Sequence, residues 1–195
     1  MTGARLLELG SNVPRSGGRV TRTVGSALLR ILGWHIEGEI PNVAKAVIIV
    51  APHTSNWDFP VGLAAKWALR LHANYLGKDS LFRFPFGYWF RAWGGLPVDR
   101  SRPNAVVSTI VAEFARRERM FLAIAPEGTR KPVERWRTGF YHIAHGARVP
   151  IVPVALNWEA RAIQIGAPVS TSGDADRDVA ELQLRFAGIP GRTRS

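Results

Sequence analysis

The sequence predicts an α/β fold: a single domain with a largely parallel or mixed sheet flanked by helices, plus an N-terminal amphipathic helix. Three observations carry that prediction. The run Ala46–Ala51 is short, apolar and dense in β-branched residues, which reads as a strand buried on both faces. The run Met120–Ala125 is a second buried strand, and each is followed at once by a polar cluster containing proline. Between and around these runs lie segments whose apolar residues recur at helical spacing.

In chain order, residues 1–19 read as a flexible lead-in without the apolar core of a signal peptide. Val20 to Trp34 reads as a helix, with Val20, Val24, Ala27, Leu28, Ile31 and Leu32 along one stripe and Arg22 and Arg30 off it. Such a helix lies on a membrane surface or, more commonly, covers a core, and the stripe is expected to cover the core. Gly33, Gly38 and Pro41-Asn42 break the chain before the strand at Ala46. Ser55, followed three residues on by Asp58, opens a helix to about Leu71.

A short strand is expected at Asn74 to Gly77, and then an aromatic segment from Leu81 to Trp93 interrupted by Pro85 and Gly87. Its rings suit an acyl-chain slot or a lipid interface, but most of them are expected to pack the core. Gly94 to Arg100 is a turn leading into a short strand, and Ala105 to Arg119 a helix burying Val106, Val107, Ile110, Val111 and Phe114. A helix runs from Trp136 through Ala147. Val149 to Leu156 is a strand whose two prolines place it at an edge or make its ends irregular. Ala162 to Gly166 is a last strand, Ser172-Gly173-Asp174 caps a terminal helix to about Phe186, and 188–195 is a basic tail. The domain is therefore taken as residues 20–187.

Composition narrows the chemistry. With no cysteine there is no disulfide framework, thiolate nucleophile or cysteine-based metal site. The balance of 26 Lys+Arg against 15 Asp+Glu, a net +11, favours anionic partners: nucleic acid, an anionic membrane, or a phosphorylated substrate or acidic carrier. Positive residues are scattered and the aromatics carry no RNA-binding signature, so nucleic acid is not expected. No apolar run is long enough to span a bilayer.

His53 sits just past the end of the Ala46 strand, where open α/β sheets bind ligands, and Asp58 lies on the first turn of the next helix. Five residues apart within one helix, the two side chains would point apart; strand, turn and helix allow them to meet. A histidine held by a carboxylate is a general base, although Asp58 as a simple helix cap beside a polar turn residue fits the same spacing. Pro126-Glu127-Gly128-Thr129-Arg130 follows the second strand. Glu127 suits a substrate hydroxyl and Arg130 an anion, the alternative being a turn pair between the two. Arg100 suits a phosphate or a surface pair with Asp99. His142 and His145 are three apart on a helix without an H-E-x-x-H pattern, so no metal is expected. No G-x-S-x-G serine motif is present, which favours direct attack by an acceptor over an acyl-enzyme.

Four blocks in order, spanning about residues 45 to 158, resemble the glycerolipid acyltransferases of the lysophosphatidic acid acyltransferase family: His53 to Asp58 as H-x-x-x-x-D, Gly94 to Arg100, Pro126 to Arg130 as P-E-G-T-R, and Val149 to Val154 as V-P-I-V-P-V. The resemblance implies His53 as the base that deprotonates an acceptor hydroxyl, Asp58 as its orienting partner, Arg100 as a contact to the acceptor phosphate, and Glu127, Gly128, Thr129 and Arg130 as acceptor-binding residues. It further implies an acyl donor thioester, acyl-CoA or acyl carrier protein, as co-substrate with no other cofactor, and a lysophospholipid-like acceptor. Departures from the family pattern are Ala125 where an aromatic is frequent, Pro97 where phenylalanine is usual, and the lack of the N-terminal membrane helix that many members carry. Together with the charge, these expectations describe a cytoplasmic enzyme peripheral to an anionic membrane surface. The alternatives are a thioesterase using the same base and a basic nucleic-acid-binding module.

Overall fold

The computed structural model describes residues 8–98, 103–131 and 133–192. Its framework is a seven-stranded mixed sheet in the order β1–β7–β6–β2–β5–β3–β4. The strands are β1 (His35–Glu37), β2 (Lys45–Ala51), β3 (Ala73–Lys78), β4 (Gly95–Val98), β5 (Met120–Ile124), β6 (Ile151–Asn157) and β7 (Ala162–Ile165). All neighbours run parallel except β6 and β7.

The continuous apolarity of β2 follows from burial on both faces. Ala46 and Ile48 join a core with Leu29 of α1 (Arg19–Ile31) and with Val61, Ala64 and Ala68 of α2 (Asp58–Leu69). Val47, Ile49 and Ala51 join the opposite core, under α4 (Pro103–Arg116), α5 (Gly139–Ala147) and α6 (Ala175–Leu184). Period-two alternation sends successive side chains to opposite layers, so a strand with helices on both sides has no polar face.

Several expectations are corrected. The strand bearing Pro150 and Pro153 is interior, lying between β2 and β7. Its register explains the tolerance: Val154 pairs with Ile165, the last residue of β7, so Pro153 looks past the end of that neighbour and keeps one bond, from Gly166 N to Pro153 O (2.8 Å). Strand β1 was not foreseen, since three residues are too few for a periodic signal. The lead-in packs from Leu9 onward: Leu9 and Val13 are buried, and His72 N donates to Pro14 O (2.9 Å).

Of the apolar stripe of α1, Leu32 packs against the core as expected, but the rest points the other way. Gly25 and Leu29 face α2, while Val20 and Ile31 are 76% and 80% exposed and Val24 and Leu28 lie outside the core with them. The aromatic segment, a short 3-10 turn (Asp79–Phe82) followed by α3 (Gly87–Ala92), buries Phe82 but leaves Phe84, Phe86, Tyr88 and Trp89 exposed. Both exposed sets flank α2: Gly25 of α1 abuts the Trp67 Cβ, and the Trp67 ring packs edge-on against Trp93 just after α3, centroids 6.4 Å apart.

Gly25 is what lets α1 approach α2. A Cβ there would lie 2.5 Å from Ala68 N and 2.6 Å from Ala64 O, backbone atoms that cannot rotate away. Alanine gains about 1 kcal/mol of helix propensity over glycine, but forcing the helices apart costs about 1–3 kcal/mol. Gly25→Ala is therefore expected to lower the midpoint of thermal unfolding by several degrees; an unchanged or higher midpoint would mean the helices separate freely.

Candidate active site

Three adjacent parallel strands end at the same edge of the sheet. In the ladder, Ile49 of β2 is level with Ile124 of β5, and Ala51 of β2 is level with Ala155 of β6. The loops after β2, β5 and β6 therefore meet, bringing His53, Glu127 and Trp158 together from positions up to about a hundred residues apart.

His53 and Asp58 pair as the spacing allowed. His53 Nδ1 lies 3.0 Å from Asp58 Oδ2. The same oxygen accepts Ser55 N–H at 2.8 Å, so the aspartate at the start of α2 reaches back and closes the turn that precedes the helix. The second oxygen, Oδ1, accepts the indole Nε1–H of Trp158 at 2.8 Å. Asp58 thus accepts three hydrogen bonds while its side chain is only 2% exposed, which fixes the carboxylate in one orientation. With Nδ1 committed to Asp58, Nε2 is left as the nitrogen able to take a proton, in a ring that remains one-quarter exposed.

Glu127 turns inward. His53 N donates to both of its oxygens, at 2.9 and 3.0 Å, so Glu127 ties the β5 loop to the β2 loop through the backbone of the histidine itself. Burial raises its carboxyl above the ordinary carboxylate range, opposed by the His53 N–H and the charge of His53. Among the described residues no ion pair joins Glu127 to Arg130, which removes the turn-pair alternative. Gly128 then reverses the chain at φ +65°, where a Cβ would strike the Arg137 side chain at 2.8 Å. Beyond it, Thr129 and Arg130 line a cavity of about 1230 Å³ together with His53, Asp58 and Gly128. Arg100 lies outside the described residues.

The cavity continues from the dyad past Phe59, Leu63, Tyr75, Leu76 and Trp93. Lys66 reaches its wall and donates from Nζ to Trp93 O; burial lowers its ammonium to about 8. Lys131, Arg137 and His142 also line the cavity.

Sequence reasoning missed Trp158. A signal was present, because a tryptophan directly follows a strand adjacent to β2, but nothing in one sequence says which strands are adjacent. It also missed the return of the C-terminal segment expected as a tail: Trp158 N donates to Pro190 O (3.1 Å) and Thr54 Oγ1 to Arg192 O (3.2 Å).

A family model described as Acyltransferase matches residues 34–157, which contain the whole dyad, the Glu127 loop and β6. This chain belongs to that acyltransferase family. The acyltransferase domain is 30% identical over 146 residues to a 1-acyl-sn-glycerol-3-phosphate acyltransferase of Streptococcus pneumoniae, covering 71% of this chain and 54% of the relative. It is 28% identical over 148 residues to the protein of the same description from Escherichia coli, covering 71% and 59%. The chain thus spans about half the length of the curated relatives it matches. The crystal structure of the 1-acyl-sn-glycerophosphate (LPA) acyltransferase from Thermotoga maritima superposes with a TM-score of 0.55 at 17% identity, over 91% of this chain and 81% of that one. That likeness establishes the acyltransferase fold, a single α/β domain.

The donor pattern around Asp58 yields a direct test. In Asp58→Asn one acceptor oxygen becomes an NH₂, which faces either the Ser55 N–H and His53 or the Trp158 N–H. Either orientation sets donor against donor in a buried position, so the variant is expected to lose about 1–3 kcal/mol by chemical denaturation. Wild-type stability in this variant would contradict the geometry.

Proposed function

We propose that the chain catalyses O-acyl transfer from a thioester, on coenzyme A or acyl carrier protein, to the hydroxyl of a lysophospholipid-like acceptor. The observation that carries this is the His53–Asp58 pair at 3.0 Å with Asp58 fully hydrogen-bonded. His53 Nε2 takes the proton of the acceptor hydroxyl as its oxygen attacks the thioester carbonyl carbon. The tetrahedral intermediate collapses with cleavage of the C–S bond, and the imidazolium returns the proton to the departing thiolate. The products are an ester and a thiol, and no acyl-enzyme forms. Asp58 keeps the ring in the productive tautomer and stabilises the imidazolium.

The cavity supports two substrates rather than one. Its volume of about 1230 Å³ exceeds the roughly 300–1,000 Å³ of ordinary small-molecule sites. The apolar stretch from Phe59 to Trp93 suits an acyl chain, and Gly128, Thr129 and Arg130 suit the acceptor. Arg100 is assigned to the acceptor phosphate with them. The acceptor named for the relatives, 1-acyl-sn-glycerol-3-phosphate, is the first to assay. His53→Ala is expected to lose at least a hundredfold in acyl transfer from a long-chain acyl-CoA to that acceptor with an unchanged circular-dichroism spectrum. Retained turnover would remove His53 as base, and donor consumption yielding only free fatty acid would make the protein a thioesterase.

The enzyme works at an anionic membrane surface. Among the described residues no helix is long and apolar enough to cross a membrane. The exposed stripe Val20, Val24, Leu28 and Ile31, bordered by Arg19 and Arg30, and the exposed rings Phe84, Phe86, Tyr88 and Trp89 both flank α2. Each basic residue near an anionic bilayer contributes on the order of 1 kcal/mol, and the buried rings add an apolar contribution that salt does not screen. Sedimentation with anionic vesicles is expected to show binding that weakens but persists as salt rises, with little on neutral vesicles. Equal partition onto both, or none onto either, contradicts this arrangement.

A further inference from the structure

After α6 the chain does not leave the domain at once. Residues 190–192 cross the loops that carry the dyad and touch both neighbours of the reacting pair. Pro190 O accepts Trp158 N–H at 3.1 Å, and Arg192 O accepts the hydroxyl of Thr54, the residue next to His53, at 3.2 Å. Gly191 passes so close that a Cβ there would lie 2.6 Å from Thr54 Cγ2. The Arg192 guanidinium carbon stands 5.3 Å from the ring centroid of Trp57, the residue next to Asp58, and 5.1 Å from that of Trp158. Trp158 is the indole whose N–H holds Asp58 Oδ1, and its other flank meets Trp34 edge-on at 4.9 Å.

A guanidinium is planar, permanently charged and weakly hydrated, and therefore suited to lying against two indole faces at once. Trp57 is half exposed and stands on the loop that sets where α2 begins. The Trp57 N–H donates to Ser55 Oγ (3.2 Å) within its own loop, and the Arg192 cation spans from the Trp57 ring to that of Trp158 on the β6 loop. Arg192 joins the two loops from outside, as the Trp158–Asp58 bond joins them from within.

We propose that the strap Pro190–Arg192 is a positioning device for acyl transfer, with Arg192 clamping Trp57 and Trp158 so that the Trp158 indole stays on Asp58 and His53 keeps its reactive orientation. Arg192 is a positioning residue acting through Trp158; it touches neither substrate. This rests on the reading of His53 and Asp58 as the reacting pair. Misplacement of a general base by a fraction of an ångström is costly in turnover, while substrate affinity set elsewhere in the cavity is left alone.

The test combines kinetics with a measurement that needs no substrate. Arg192→Ala, Arg192→Lys, Trp158→Phe and the double variant Arg192→Ala/Trp158→Phe are assayed with a long-chain acyl-CoA and 1-acyl-sn-glycerol-3-phosphate, beside His53→Ala. Hydrogen exchange of the Trp158 indole N–H is followed by NMR in the full chain. Arg192→Ala is expected to lower kcat roughly tenfold with both KM values within about twofold, and to speed indole exchange. Arg192→Lys recovers only part of kcat, because an ammonium keeps the charge over the indole rings but lacks the planar face that lies against both. The double variant is no slower than Trp158→Phe, since the two residues act through one bond.

Wild-type kcat and unchanged exchange in Arg192→Ala, with His53→Ala inactive, overturn the strap and leave the base assignment standing. A loss confined to KM overturns it in favour of a substrate contact, and multiplicative losses in the double variant overturn the route through Trp158. If His53→Ala retains turnover, the function reading fails instead, and the exchange measurement still decides whether Arg192 holds Trp158.

Discussion

The constraint on which the site depends is the parallel register of β5, β2 and β6. Parallel neighbours deliver their following loops to one edge of the sheet, so the three loops converge there. An antiparallel partner in either place would have put one loop at the far edge. The antiparallel step comes one strand later, at β7, after Trp158 has been placed. The buried faces of β2 fix that register, because slipping by one residue would exchange the side chains of Ile48 and Ile49 between the two cores.

Within that frame the polar bonds are arranged as a chain rather than as isolated pairs. Glu127 holds the His53 backbone, Asp58 holds its ring, and Trp158 and Ser55 hold Asp58. Two of these links stay within the β2–α2 turn, while Glu127 reaches it from the β5 loop and Trp158 from the β6 loop; a polar group left unpaired in such a buried setting costs about 1–3 kcal/mol. A net hydrogen bond is itself worth only about 1 kcal/mol. The rigidity of the site therefore comes from the penalty for breaking the chain more than from the gain of forming it.

Much of this was legible in the sequence, for identifiable reasons. The strands β2 and β5 announced themselves because burial on both faces removes polar residues, and the His53–Asp58 spacing excluded a single helix as the way the pair meets. What was not legible was which surface an apolar stripe faces. Periodicity placed Val20, Val24, Leu28 and Ile31 on one side of α1, but Gly25 and Leu29 form the side that docks, because a glycine permits the closer approach. Likewise, the two prolines argued for an edge or for irregular ends, and the early end of β7 explains an interior strand that lacks the N–H of Pro153. Trp158 and Arg192 were silent because their roles rest on contacts with residues far away in the chain.

The P-E-G-T-R block illustrates how a motif can be right in place and divided in role. The resemblance assigns Glu127 with Gly128, Thr129 and Arg130 to the acceptor, yet the two oxygens of Glu127 are both turned to His53 N–H. Burial raises its carboxyl above the ordinary range and that amide opposes the shift only in part, so its oxygens serve the histidine loop before any ligand. The φ of +65° at Gly128 then turns the chain, and Thr129 and Arg130 face the cavity. The loop therefore divides at its glycine: the residue before it holds the His53 backbone, and the residues after it line the cavity.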